Sequence, residues 1–267
     1  LLNVRGGDVP YTPFALSFAI IHANASVDWY VDFRKLMPDA RMLASPEIRL
    51  RQPEDLGPTL DDLGKAGKTV LLDPATSPAW AANRLKNTAA TIDPGEDPCQ
   101  LAKARKNSLQ MNGMRNAHLR DGAAVTRFLA WLDAQTLGPD LTEIRVANQL
   151  EVFRRENDYF QGLSFATISG SGPNGAIVHY RATPETDRML GNGELFLVDS
   201  GAQYLDGTTD ITRTIAIGTP TSEMRRRWTL VLKGHIALAE ARFPPGTNGS
   251  QLDTLARHAL WKEGLDY

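Results

Sequence analysis

The chain of 267 residues contains a single cysteine, Cys99, so it can form no internal disulfide and its composition fits a reducing compartment. It also lacks a surplus of either charge. Lys and Arg total 29 against 31 Asp and Glu, a net of −2. With no basic excess to neutralise phosphates, nucleic acid is excluded as a main partner. Long apolar runs are missing as well. The most hydrophobic stretch, residues 14–21, is too short to span a bilayer and runs into His22. No charged start or small-residue cleavage site makes that stretch a signal peptide. Neither H-E-x-x-H nor a cysteine cluster occurs, so a zincin or a structural zinc site has no support. The first residue is not Met, and Leu1-Leu2-Asn3-Val4 reads as the middle of a buried strand, so the expectation is a fragment.

What is present is ordinary for a globular protein. At 42% hydrophobic and 22% charged residues, disorder and collagen-like repeats are ruled out. The length is near two domains of roughly 150 residues each. Residues 1–98 read as α/β, with strands over 26–31 and 69–72. Residues 91–98 carry three acids, two prolines and a glycine and mark the expected boundary, which makes 99–267 the second domain. That part begins with helix-compatible sequence over 100–135, in which Asp121-Gly122 reads as a break or an exposed face. A second helix follows over 142–157. Strands are expected at 163–168, 176–180, 195–204 and 210–217. Two helices close the order. One has an apolar face of Met224, Trp228, Val231, His235 and Leu238; the other opens at Ser250 with Asp253 in a capping-box pattern and ends at Gly264. Helix pairs ordinarily pack on a sheet, and no strands follow the second pair.

The densest polar signal is Val198-Asp199-Ser200-Gly201 followed by Thr209-Asp210-Ile211-Thr212. Asp199 ends four apolar residues in a strand, where a lone carboxylate is costly unless paired or bound to metal. Asp210 lies in the next strand, and the odd sum of the two numbers lets both face one side of an antiparallel pair. A tight turn at Asp206-Gly207 sets the aspartates four positions apart, whereas a loop centred near Leu205 sets them opposite, roughly 5 Å apart. Two carboxylates that close call for a cation between them; the alternative is one turn-capping Asp and one unrelated exposed Asp.

The Asp-Ser-Gly run also matches an aspartic-protease loop, but that mechanism needs two such loops and the chain has one. The stretch 170–175 formally fits G-x-G-x-x-G, yet strand-like sequence follows it, so a glycine-rich hairpin connection is expected and not a dinucleotide site. Of five histidines, His22, His118, His235 and His258 read as packing or surface residues. His179, beside the glycine loop, is the candidate for a site role.

The run VDSGAQYLDGTTDITRTIAIGTPT, with GAIVHY before it and VLKGHIALAEARFPPGT after it, resembles the pita-bread metallopeptidases, in particular their aminopeptidase P (Xaa-Pro aminopeptidase) branch of long, three-domain, cytosolic form. The likeness extends over nearly the whole chain. It implies an α/β creatinase-N-like middle domain followed by the first part of an α+β pita-bread catalytic domain, with the first domain of the long form absent. It implies a dinuclear centre, most often Mn2+ with Zn2+ or Co2+ as alternatives, held by two Asp, one His and two Glu. Asp199 matches the aspartate on one metal and Asp210 the aspartate bridging both. His179 matches a substrate-site histidine that steadies the scissile peptide. The remaining ligands are expected beyond Tyr267. The implied activity is release of the N-terminal residue from peptides with proline second, by a metal-bridging hydroxide, in a cytoplasmic homodimer with no membrane partner. Two carboxylates are too few for a tight dinuclear site, so the 267-residue polypeptide alone is expected to be inactive. A prolidase or creatinase-like hydrolase and a non-catalytic peptide-binding module are the alternatives.

Overall fold

A computed structural model describes residues 2–37 and 45–267. The chain divides into two compact units, Leu1–Asn116 and Ala117–Tyr267. Residues 99–116, which the sequence reading places with the second domain, group with the first unit.

In the first unit β2 (Val27–Tyr30) lies between β1 (Phe18–Ile21), antiparallel to it, and β3 (Ile48–Arg51), parallel to it. All of β2 is buried. That includes Asp28, whose carboxylate pairs with Arg49 at 2.6 Å and is hydrogen-bonded to His22 at 2.7 Å. Strands β4 (Thr69–Leu72) and β5 (Thr91–Pro94) pair in parallel, which needs a crossover, here α2 (Ala79–Lys86). The punctuated stretch after residue 90 therefore starts as a strand. Helix α1 (Leu56–Lys65) turns Leu56 and Leu60 onto Tyr30 and Leu85 to make this unit's core. No strand forms at residues 2–4, where Asn3 has φ 52°; Leu1 lies outside the described residues.

The helical region after residue 98 splits into α3 (Pro98–Ala104) and α4 (Ser108–Asp133). Asp121-Gly122 does not break α4, because Asp121 is fully buried and paired. With α5 (Glu143–Arg155), α4 covers one side of the sheet β11-β8-β7, made of β11 (Ile211–Ile217), β8 (Glu194–Ser200) and β7 (Ile168–Ser171). Val125, Phe128 and Leu132 of α4 and Val146 and Leu150 of α5 pack on Phe196, Val198 and Ile217 of that sheet. A second sheet joins β6 (Phe160–Leu163), β9 (Ala202–Tyr204) and β10 (Gly207–Thr208).

Two strand expectations shift. Residues 164–167 link β6 to β7 and are not themselves a strand. Residues 176–180 leave a 3-10 turn (Gly172–Ala176) and carry a positive φ at His179, which ends extended structure there. The final helices, α6 (Ser222–Glu240) and α7 (Gly249–Trp261), cross where Gly234 meets Ala256: a Cβ on Gly234 would lie 2.0 Å from the Ala256 carbonyl oxygen. Asn248, not Ser250, caps α7, in a reciprocal box with Gln251. Gly264, at φ 68°, ends the last turn as expected.

Candidate metal centre

One long hairpin carries both aspartates. Its turn is Leu205-Asp206, with Gly207 opposite Tyr204, and the same register continues through Ile211 opposite Ser200 and Thr212 opposite Asp199. The turn thus lies between the two positions considered from sequence. Asp210 is two residues from the position facing Asp199, so the aspartates are diagonal neighbours on one face. The odd sum of their numbers accordingly puts both on one face, two positions apart, between the direct opposition and the four-position offset expected.

The hairpin bends where it passes from one sheet to the other. Gly201 sits at the bend, where a Cβ would lie 2.0 Å from the Thr209 carbonyl oxygen and 2.2 Å from Ser164 Oγ. Ser164 Oγ donates to that carbonyl at 2.8 Å, and Thr209 Oγ1 accepts from the Ala202 amide at 3.0 Å. Alternation places Phe196, Val198, Ser200, Ala202 and Tyr204 inward, all buried. Asp199, Thr208, Asp210 and Thr212 consequently share the opposite, less covered face. There Thr212 Oγ1 donates to Asp199 Oδ1 at 2.7 Å.

Desolvation by the surrounding protein, then the charge of Asp199 and a hydrogen bond with it, hold the Asp210 carboxyl above its ordinary 3.8. Among the described residues no Lys, Arg or His forms an ion pair with either aspartate. Two like charges lacking a counter-ion are a donor set suited to a hard divalent cation. The chain's residues fit such an ion in part: no group of three His, Cys, Asp or Glu able to hold a metal occurs among those described.

His179 is exposed and has φ 55°, and no described hydrogen bond or ion pair joins it to either aspartate. Its loop nevertheless belongs to the same face. A Cβ on Gly170 would meet the Gly175 amide at 2.8 Å, and one on Gly175 would lie 3.5 Å from Leu197 Cβ, two residues before Asp199. The glycine-rich stretch forms a 3-10 turn (Gly172–Ala176) in place of the expected hairpin connection.

Buried groups that no sequence pattern marks lie beneath the hairpin. Arg154 holds Asp121 through Nε at 2.7 Å and Nη2 at 3.0 Å, both side chains being fully buried. Tyr204 donates its hydroxyl to Asp121 Oδ1 at 2.9 Å, which ties the hairpin end to α4 and α5. Burial, and then the Asp121 charge, pushes that hydroxyl up to about 12. Arg120 lies against the rings of Tyr159 and Tyr204 and pairs with Asp206 in the turn. An Asp and an Arg 33 positions apart on two predicted helices offer no periodic signal; only the cost of burying either alone hints at the pair.

The profile of Metallopeptidase family M24 matches residues 112–267, and that of the Creatinase/Prolidase N-terminal domain matches residues 1–110. The probable Xaa-Pro aminopeptidase P of Paracoccidioides brasiliensis strain Pb03 is 41% identical over 100% of this chain and 45% of its own length. The Aspergillus niger protein of the same description is 40% identical with the same coverage. The chain therefore spans less than half the length of these relatives. Among solved structures, the X-prolyl aminopeptidase of Caenorhabditis elegans, described as a cytosolic enzyme with a di-nuclear active site, aligns over 100% of this chain and 44% of its own with TM-score 0.87 and 38% identity. The prolidase of Pyrococcus furiosus, at 22% identity and TM-score 0.70 over 95% of this chain and 71% of its own, shares the fold. A creatinase-type N-terminal domain followed by part of a pita-bread domain, with two carboxylates meeting on one hairpin face, places the chain in metallopeptidase family M24.

Proposed function

We propose that this chain supplies part of the dinuclear centre of an Xaa-Pro aminopeptidase. Asp199 and Asp210 would supply carboxylate oxygens to that centre, to which a hard ion such as Mn2+ is suited. The observation that carries this reading is the shared face of the two carboxyls on a hairpin of the M24 family. Two divalent ions, when bound, acidify a shared water and polarise the scissile carbonyl. The chain's own groups do the holding. Thr212 fixes one oxygen of Asp199, and Gly201 permits the bend that sets Asp210 beside it. His179 contacts the substrate peptide, in which proline at the second position offers no N–H. The parentage of the relatives supports this substrate class, and the cytosolic description of the nematode enzyme supports a cytoplasmic setting.

The test is a graft in which this chain replaces the matched segment of the nematode enzyme, assayed with an Xaa-Pro peptide and Mn2+. The graft is expected to release the first residue, and Asp199→Asn or Asp210→Asn to reduce turnover by about three orders of magnitude or more. Turnover that survives Asp210→Asn contradicts the assignment.

A further inference from the structure

The carboxylate of Glu143 is fully buried at the start of α5, and no guanidinium, ammonium or imidazole is bonded to it among the described residues. Such a charge is tolerated only when its lone pairs are fully used. Here they are. Oε1 accepts from the Ser171 amide at 2.7 Å and from Asn174 Nδ2 at 3.0 Å. Oε2 accepts from the Tyr180 hydroxyl at 3.0 Å and from the Arg188 amide at 3.3 Å. Asn174 Nδ2 also reaches the Tyr180 hydroxyl at 2.9 Å. Ser171 precedes the segment 172–179, Asn174 lies within it and Tyr180 follows it, so one carboxylate grips this segment at its entry, its middle and its exit.

His179 is the residue just before the gripped tyrosine. Tyr180 is buried, while Ile177, Val178 and His179 are exposed. The left-handed backbone at His179, φ 55°, is unfavourable for a residue with a side chain and persists only where its surroundings hold it. Glycines at 170 and 175 allow the same segment to lie flat on the face that bears Asp199.

We propose that Glu143 is the positioning residue of His179: by binding Ser171, Asn174 and Tyr180 together, it fixes the strained turn that presents the histidine to substrate. The substrate role rests on the function proposed above; the clamp rests on the contacts alone.

The test uses imidazole NMR of the 267-residue chain, which has five histidines, with the His179 signal identified by its loss in His179→Gln. Glu143→Gln places an amide where the carboxylate accepts from several donors, and Tyr180→Phe deletes one donor from the clamp. Either change is expected to shift and broaden the His179 signal while His22, His118, His235 and His258 stay in place. Amide exchange over 172–180 becomes about tenfold faster, with α4 unchanged. An unaltered His179 signal and unaltered exchange in Glu143→Gln overturn the proposal. If Glu143→Gln unfolds the chain as a whole, Tyr180→Phe decides by the same two readings. The functional reading fails separately, if His179→Ala in the nematode graft leaves Xaa-Pro turnover unchanged while the clamp is still seen by NMR.

Discussion

Asp210 is more readily protonated in the folded chain than in the unfolded one, since desolvation and Asp199 raise its pKa on folding. The folded state then binds more protons just above pH 3.8, so stability falls as pH rises through that window and the penalty persists at neutral pH. Asp210→Asn is therefore expected to raise the melting temperature of the metal-free chain at pH 7 and to flatten this fall; a lowered melting temperature at pH 7 contradicts the like-charge account. Beneath the hairpin the sign is reversed. Asp121→Asn leaves Arg154 buried without its counter-charge, a change expected to cost about 3–5 kcal/mol in urea unfolding. At this scale the sequence exposed Asp199, because a carboxylate after four apolar strand residues is costly enough to demand a reason, and Asp210 through its facing position in the next strand. It concealed Asp121, Arg154 and Glu143, whose reasons are partners far away in the chain. The role of Thr212 as a donor to Asp199 was not legible, because a strand threonine is unremarkable until its opposite number is known.

At the level of elements, periodicity located α5, α6 and α7 to within a few residues, and the hairpin 194–217 in outline. Local rules failed where tertiary contacts decide. Residues 176–180 are apolar enough for a strand, yet the Glu143 contacts and the positive φ at His179 turn them into a bend. The apolar stripe of α6 leads one to expect a covering sheet, but Trp228 and Val231 are half exposed. The close helix crossing instead uses Gly234, on another side of α6. Gly234→Ala is expected to force α6 and α7 apart and cost about 1–3 kcal/mol by thermal melting. Asn248→Ala removes the side-chain cap of α7 and is expected to cost about 1 kcal/mol in the same measurement.

For the whole molecule, the two compact units and the two family profiles divide the chain at nearly the same place, between 110 and 117. The two aspartates belong entirely to the second unit, and among the described residues nothing completes a three-ligand site around them. The polypeptide of 267 residues, supplied with Mn2+ and an Xaa-Pro peptide, is accordingly expected to show no turnover above background. Weak metal binding at the hairpin is still expected, because two oxygen-donor side chains already converge there. The most direct measurement is amide NMR of this chain during a Mn2+ titration, in which the paramagnetic ion broadens whatever lies near it. Selective broadening of the amides around Asp199 and Asp210, abolished by Asp210→Asn, is the result the account predicts. Broadening spread over the acidic surface, or centred elsewhere and indifferent to that substitution, would contradict it.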